Sequence, residues 1–262
     1  MESLYLLFKI QFKLRYFVEI SFLGKNYHGW QVQPNVITVQ EKINSAFSLI
    51  LSTPIHVMGA GRTDTGVHAS QMFAHLDSDS NLSNETHLYK LNSVLPDDIA
   101  IHNIFQVKDD AHTRFNAIQR SYKYKIYLGR DPFQLDTTWQ FFKSELNVDN
   151  MNKAAAILKN HTNFKCFSKS KTDVSTYNCT ITNAEWVLKD KSLTFHITAD
   201  RFLRNMVRAI VGTLVSIGQG KNTVEDMQKI IESENRSKAG TSAPAQGLSL
   251  TKISYPENIK HG

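Results

Sequence analysis

The sequence predicts an α+β protein built from two similar halves, and three observations support this prediction. Short stretches alternate apolar and polar residues, as strands do, and longer stretches place apolar residues three and four positions apart, as helices do. These stretches follow the same order in each half, β-α-β-β-α-β, with one extra helix late in the second half. This is the order of the ferredoxin-like or RRM-like unit. We therefore expect two fused RRM-like halves, with antiparallel sheets side by side, helices on one face, and a cleft between the halves that holds an active site.

The first half is predicted over residues 15–112, after an N-terminal lead, residues 1–14, whose order the sequence leaves open. The lead lacks the basic start and the small-residue cleavage site of a signal sequence. The stretch "RYFVEISF" predicts a strand, and "TVQEKINSAFSLIL" predicts a helix because Thr38 and Glu41 form a capping box. The remaining predicted elements are the strands "IHVMG" and "QMFAHLD", the helix "NETHLYKLNSVLP" and the strand "IAIHNIFQV".

The second half is predicted over residues 113–262. It begins with the strand "RSYKYKIYLG", which is followed by the helix "DNMNKAAAILKNH" and the strands "ITNAEWVLK" and "SLTFHITAD". A strong amphipathic helix, "FLRNMVRAIVGTLVSIGQG", then ends at glycines. The helix "TVEDMQKIIESE" and the strand "GLSLTKIS" complete this half.

Charge and cysteine content narrow the choice of partner and compartment. The formal net charge of +6 over 262 residues favours an anionic partner, most often a nucleic acid, although an enzyme that is merely basic fits as well. The cysteines, Cys166 and Cys179, have neither metal-ligand spacing nor the pattern of a disulfide framework, which predicts a reducing, cytoplasmic setting. No apolar run reaches the roughly 18 residues that a membrane span needs, so no membrane partner is expected.

The stretch "MGAGRTDTGVHAS", residues 58–70, combines glycines with Arg62, Asp64 and His68. Its glycines allow the backbone to approach a ligand, but the Gly-Lys-Ser/Thr signature of a phosphate-binding loop is missing. Asp64 and His68 could share a metal, as in a metal-dependent nuclease, yet no third ligand is evident. In a third interpretation, Asp64 bonds its own backbone in an Asx-turn and Arg62 is an ordinary surface cation. Composition alone slightly favours this turn.

A second stretch, "TRFNAIQRSYKYKIYLGR", carries basic residues with tyrosines between them and no acidic residue. Basic side chains neutralise phosphates and aromatic rings stack on bases, so Arg114, Arg120 and Lys123 indicate a nucleic-acid surface. A strand with a solvated lysine face and a buried tyrosine face explains the pattern equally well. Tyr122 lies on the apolar face of this strand, which leads to a core or a cleft.

A third stretch, "ADRFLRNMVRAIVG", places Arg201, Arg204 and Arg208 three and four residues apart, which predicts one basic edge on the helix. A solvated edge is the ordinary explanation. Arg208, however, is level with the apolar stripe, and a half-buried arginine needs a carboxylate partner, for which Asp64 is one candidate.

The loop "NYHGWQVQPN" offers Tyr27, His28 and Trp30. These rings could stack on RNA or pack locally, and the sequence leaves both interpretations open.

Taken together, these segments resemble the TruA-type tRNA pseudouridine synthases. The matching strings are "GKNYHGWQVQPN", "TVQ", "GAGRTDTGVHA", "RFNA", "SYKYKI", "RFLRNMVRAIVG" and "GTSAPAQGLSL", in the family's order and over nearly the whole chain after Arg15. The most specific of them is "GRTDTGVHA". The resemblance implies two RRM-like halves around a basic cleft, in agreement with the duplicated order of elements.

The resemblance also implies a reaction. Members of this family isomerise uridine to pseudouridine at positions 38 to 40 in the anticodon stem-loop of tRNA, and they act as homodimers. The N-glycosidic bond between ribose and uracil breaks, and the base turns and rejoins the ribose through a carbon atom. Because nothing is oxidised and no group is lost, no cofactor or metal is required.

Roles follow for the residues that match the family's motifs. Asp64 is similar to the catalytic aspartate, which either attacks the sugar carbon or removes a sugar proton. Arg208 would pair with it and favour its charged form. Tyr122 would stack on the flipped uracil, supported by Leu248, and Arg62 would occupy the flipped nucleotide's place or hold its phosphate.

The remaining expected substrate contacts are basic. Arg114, Lys123 and Arg204 would hold the RNA mainly through its shape and phosphates. Two positions depart from the family pattern: Thr65 replaces the usual alanine, and Ser121 precedes Tyr122 where a basic residue is common, which puts one RNA contact in doubt. The alternative function is a non-catalytic RNA-binding protein with tandem RRM-like halves, although the sequence contains no RNP1 string.

Overall fold

The computed structural model describes residues 13–142, 144–169 and 174–260, so the predicted lead lies almost entirely outside the described residues. Within these ranges the protein is a mixed α and β structure. The strands are β1 (Leu14–Phe22), β2 (Met58–Gly59), β3 (His68–Ser78), β4 (Ile99–Gln106), β5 (Gln119–Leu128), β6 (Trp139–Phe141), β7 (Ile181–Lys189), β8 (Ser192–Ala199) and β9 (Leu248–Ser254). The helices are α1 (Val39–Leu51), α2 (Glu85–Val94), α3 (Val148–Ile157), α4 (Met206–Gly218) and α5 (Val224–Glu232).

All of these strands belong to one nine-stranded sheet with the order β4-β1-β3-β9-β5-β8-β7, in which β2 also pairs with β3 and β6 with β5. The predicted sheets therefore do not merely lie side by side but are hydrogen-bonded to each other. The join is a short parallel pairing of β3 with β9, where His68 lies opposite Ser249 and Ala69 opposite Leu250. The sheet is otherwise antiparallel, except where β6 runs parallel to β5.

The sheet repeats one local order of strands on either side of this join. In the first part β1 lies between β4 and β3, and β2 adds to β3; in the second part β5 lies between β9 and β8, and β7 adds to β8. Both parts thus have the order fourth, first, third, second, which matches the duplicated β-α-β-β-α-β order of the sequence. Strand β6 was not predicted, because three residues are too few to show an alternating pattern.

Buried side chains form two hydrophobic clusters, one drawn mainly from residues before Arg114 and one mainly from residues after it. On the first part of the sheet, both faces of β1 and β3 are buried. The rings of Phe17 and Phe73 lie with their centroids 5.2 Å and 5.4 Å from the ring of Tyr255, just after β9. The C-terminal segment therefore covers strands at the opposite end of the chain.

Local signals set most helix ends. The capping box of Thr38 and Glu41 is confirmed at the start of α1. The prediction for α4 was wrong at its start: the helix begins at Met206, because Asn205 has a left-handed backbone with φ of 66° that cannot continue a helix. Arg204 consequently lies on the segment leading into α4 and does not share a helix edge with Arg208. No helix in the described part of the chain is both long and apolar enough to span a membrane.

His68 stabilises the pairing of β3 with β9, which joins the two parts of the sheet, through hydrogen bonds. Its Nδ1 accepts the Gly24 N–H at 2.9 Å, and its Nε2 lies 3.0 Å from the Gln246 carbonyl oxygen. A carbonyl oxygen only accepts, so Nε2 carries the proton and the ring is neutral. Burial lowers the pKa of His68 below its ordinary value of 6.5, which keeps the ring in this form.

We expect the protein to lose stability as the pH falls below about 6.5. Folding lowers the pKa of His68, and burial lowers that of His75 to about 4, so the unfolded chain binds more protons in this range. Urea unfolding between about pH 7.5 and pH 5 measures the effect. H68Q should be less stable at pH 7.5 but show a shallower pH dependence, whereas H56Q, at an exposed histidine, should follow the wild type. An H68Q slope equal to that of the wild type would contradict this role.

Candidate active site

Asp64 lies in the loop that connects β2 to β3. The loop turns through a hydrogen bond from the Val67 N–H to the Asp64 carbonyl oxygen, 3.1 Å long. The Asp64 carboxylate accepts no hydrogen bond from its own loop within the described residues, so the Asx-turn interpretation was wrong. The carboxylate is left available for partners from elsewhere in the chain.

Those partners are two arginines that arrive from beyond β8. Arg208 Nη1 lies 3.5 Å from Asp64 Oδ2, and Arg204 Nε lies 3.8 Å from Asp64 Oδ1. Arg208 is also fixed from the other side, since its Nε donates to the Ala243 carbonyl oxygen at 2.7 Å. Arg204 is more than half exposed, so its pairing contributes little free energy, whereas Arg208 holds a defined position.

Tyr122 is on β5, within range of the charge of Asp64. Its ring meets the ring of Phe202 edge to face, with centroids 5.1 Å apart. Burial raises the pKa of Tyr122 to about 12, and the nearby negative charge of Asp64 acts in the same direction while Arg120 opposes it. The phenol is therefore protonated at neutral pH. It can stack or donate a hydrogen bond, but it is a poor base.

Leu248 begins β9 and is buried. In the pairing of β5 with β9, Leu248 lies opposite Tyr124, and Leu250 lies opposite Tyr122. Directly paired residues of antiparallel strands share a face, so Tyr122, Tyr124, Leu248 and Leu250 line one side of the sheet. The direct cross-strand neighbour of Tyr122 is thus Leu250, and Leu248 is its diagonal neighbour.

The three other predicted RNA contacts differ in their placement. Arg62 is exposed and forms no hydrogen bond or ion pair with the described part of the chain. Arg114 is exposed as well, and its guanidinium carbon lies 5.7 Å from the centre of the Phe115 ring. Lys123 is exposed on β5, but alternation places its side chain on the face opposite to that of Tyr122. It can therefore contact RNA only outside the Asp64 site.

Arg120, grouped by the sequence with the phosphate-binding residues, is engaged inside the protein. Its guanidinium donates to the carbonyl oxygens of Ala117 at 2.8 Å, Asp200 at 2.7 Å and Arg114 at 2.7 Å. It therefore joins the segment before β5 to the segment after β8. Together with Phe202 and the Ala243 carbonyl, it is part of the site that the sequence did not reveal. Phe202 lies far along the chain from Tyr122, the Ala243 carbonyl from Arg208, and the Asp200 carbonyl from Arg120.

The stretch "NYHGW" packs next to the Asp64 loop and is hydrogen-bonded to it. Tyr27 and Trp30 are buried, which favours local packing over stacking on RNA, while His28 is exposed. The Gly66 N–H donates to the Tyr27 carbonyl oxygen, and the Trp30 N–H donates to that of Thr63, both at 3.3 Å. These two backbone hydrogen bonds thus hold the chain on both sides of Asp64.

A metal site at this loop is not supported. Both ring nitrogens of His68 are already bound, to Gly24 and Gln246, so His68 cannot share a metal with Asp64 in this arrangement. No group of at least three histidine, cysteine or acidic side chains suited to a metal occurs among residues 13–142, 144–169 and 174–260. The interpretation as a metal-dependent nuclease is therefore left without His68 as the second metal ligand.

We expect G29A to destabilise the protein and to displace the Asp64 loop. Gly29 has φ of +86°, and a Cβ added there would overlap the Thr63 carbonyl oxygen. The strain and the overlap together should cost about 2 kcal/mol or more in urea unfolding. Gly220 is the matched control, because it has φ of +70° but open space around it. G220A should cost about 1 kcal/mol, and an equal loss for both variants would show that the overlap is unimportant.

Comparison with known proteins places these features in a family. Residues 154–256 match the family described as tRNA pseudouridine synthase. The tRNA pseudouridine synthase A of Bacteroides thetaiotaomicron is 49% identical, over 94% of this chain and 92% of its own length. The proteins of that name from Bacteroides fragilis and Staphylococcus aureus strain MRSA252 are 47% and 37% identical, each over 94% of this chain and over 98% and 93% of their own lengths.

Among solved structures, a chain of a Cbf5-Nop10-Gar1 complex aligns with 89% of this chain and 57% of its own length. Its TM-score of 0.33 and 10% identity are too low to support an argument about the fold. The full-length relatives are decisive, because they cover the Asp64 loop, Tyr122 and Arg208 alike. The chain belongs to the tRNA pseudouridine synthase family.

Proposed function

We propose that this protein isomerises uridine to pseudouridine in tRNA, at positions 38 to 40 of the anticodon stem-loop, with Asp64 as the catalytic carboxylate. One observation carries the proposal beyond family membership. Arg208 pairs with the Asp64 carboxylate, and Tyr122, from a third part of the chain, packs against Phe202, two residues before Arg204, the second arginine at that carboxylate. A loop that only turned the chain would not need partners from such distant parts of the sequence.

The chemistry requires a base to be detached and reattached. The bond between ribose C1′ and uracil N1 breaks, the uracil turns, and a bond forms between C1′ and uracil C5. The C5 proton then leaves and N1 gains a proton, so the product has the composition of the substrate. The Asp64 carboxylate either attacks C1′ or removes a sugar proton, and both routes require the carboxylate to be ionised.

The surrounding residues fit this reaction. Arg208 holds the carboxylate through a cation that is itself tied to the Ala243 carbonyl. Tyr122 offers a ring face on which a flipped uracil stacks, and a phenol proton beside the reacting base. Arg62, exposed and without a partner in the described residues, fits either the flipped nucleotide's former place or its phosphate.

The proposal includes the architecture of the binding surface. We divide the chain into RRM-like halves, residues 15–112 and 113–262, with helices on one face and a basic cleft where the halves meet. The repeated strand order and the two hydrophobic clusters support this division. Arg114, Arg204 and Lys123 are exposed and would contact RNA phosphates along the cleft and its rim.

We extend the proposal to a cytoplasmic homodimer that needs neither cofactor nor metal, as the family resemblance implies. Cys166 and Cys179 are both buried and unpaired, which suits a reducing compartment. The alternative, a non-catalytic RNA-binding protein, is not favoured. RNA binding alone gives no reason to hold a carboxylate in place where phosphates approach.

Asp64 is tested by release of tritium from tRNA that carries tritium on uracil C5. The wild type should release tritium, with or without a chelator. D64N keeps the size of the side chain but cannot act as nucleophile or base, so its rate should fall by at least about 1000-fold. Undiminished release by D64N would show that Asp64 is not catalytic. Loss of release in the presence of a chelator would show that the reaction requires a metal ion.

Arg208 is tested by separating chemistry from binding. In R208A the Asp64 carboxylate loses the partner that fixes it, so the single-turnover rate should fall by about 100-fold or more. The Kd for tRNA should change by no more than about threefold, because Arg208 is largely covered. In R204A, which removes the more exposed arginine, binding should suffer more than the rate. Equal losses of rate and affinity in R208A would identify Arg208 as a phosphate contact.

A further inference from the structure

Phe115 is a large apolar side chain that the proposed mechanism does not use. It is 74% exposed, in the segment between β4 and β5. Its ring centroid lies 4.3 Å from that of His112, and the Arg114 guanidinium carbon lies 5.7 Å from its centre. His112 and Arg114 thus flank an aromatic ring whose remaining surface is open to solvent.

The backbone that carries Phe115 is held by local hydrogen bonds. His112 Nδ1 accepts the N–H of Arg114 at 3.1 Å and that of Phe115 at 3.4 Å. Asn116 Oδ1 accepts the His112 N–H at 2.6 Å, and the Asn116 N–H donates to the His112 carbonyl oxygen at 3.0 Å. The backbone at Phe115 is therefore held in place, while the ring itself is exposed.

More distant residues attach the same segment to the body of the protein. Arg120 donates to the carbonyl oxygens of Arg114 and Ala117. The Tyr255 hydroxyl donates to the Thr113 carbonyl oxygen at 2.6 Å. An exposed ring on a fixed backbone loses little further conformational entropy when it binds a ligand.

The segment also borders the candidate active site. The Thr113 hydroxyl donates to the Met58 carbonyl oxygen at 3.0 Å, where β2 leads into the Asp64 loop. On the other side, Arg120 joins the segment to the Asp200 carbonyl, and its charge acts on Tyr122. The segment that carries Phe115 is thus bonded on one side to the strand that leads into the Asp64 loop and on the other to Arg120, whose charge acts on Tyr122.

We propose that Phe115 stacks on a nucleobase of the RNA substrate next to the target uridine, while Arg114 contacts the adjoining phosphate. This inference rests on the proposed function. Aromatic rings stack on bases of loops and unpaired strands, and every base offers a face for it. Residues 113–130 include five cations and no acidic side chain, and one of these cations, Arg114, lies beside the ring, so this stretch suits an anionic polymer.

The role is useful when a base is flipped. When one nucleotide is extruded, the neighbouring base loses its stacking partner, and this loss of stacking costs free energy. A fixed ring beside the site replaces that partner and holds the neighbouring base while the uridine reacts. Phe115 would therefore contribute to tRNA affinity rather than to bond breaking.

The test compares F115A, F115L and F115W with Y89A, a control at a tyrosine that is 77% exposed on α2. Anisotropy of a labelled anticodon stem-loop gives Kd, and thermal melting verifies folding. F115A and F115L should weaken binding by roughly 5- to 100-fold, as the loss of one stacked base predicts. The Kd of F115W should lie within about threefold of that of the wild type, and the Kd of Y89A should equal that of the wild type.

Two results would overturn the inference: F115A binding within about twofold of the wild type, or F115L binding as well as F115W. The second result would show that an apolar contact suffices without a ring. Tritium release separates this inference from the proposed function. If the wild type releases no tritium, the proposed function fails. If it does and F115A binds normally, only the role of Phe115 fails.

Discussion

The short parallel pairing of β3 with β9 is the constraint on which the site depends. Strand β3 emerges from the Asp64 loop, and β9 pairs on its other side with β5, which carries Tyr122. The segment just before β9 also supplies the Ala243 carbonyl that holds Arg208 and the Gln246 carbonyl that binds His68. One stretch of chain therefore sets the positions of the carboxylate, the phenol and the cation relative to each other.

The site divides its charges between fixed and accessible groups. Arg208 and Arg120 are tied to backbone carbonyls, so they organise protein groups and add little to the grip on RNA. Arg62 and Arg114 have exposed guanidinium groups at the surface, where phosphates can reach them. This division explains how a protein with a net charge of +6 can bind a polyanion and still hold a carboxylate among its cations.

Local features of the structure could be predicted from the sequence, because local patterns determine them. The order of helices and strands followed from periodicity, and the start of α1 followed from its capping box. The pairing of Asp64 with Arg208 was a candidate because an arginine level with an apolar stripe needs a partner. The join of β3 to β9 could not be predicted, since two residue pairs leave no pattern in either strand. The inward role of Arg120 was hidden too, because a basic residue that faces carbonyls looks like one that faces phosphates.

A crystal structure of D64N bound to an anticodon stem-loop would test the central claim most directly. The claim is that Asp64 and Tyr122 together receive a uridine that has left the RNA stack. The expected structure has the flipped uracil against the Tyr122 ring and the ribose C1′ within about 4 Å of the residue 64 side chain. A target uridine that is still stacked in the RNA, or one flipped into a pocket away from residue 64, would contradict the account.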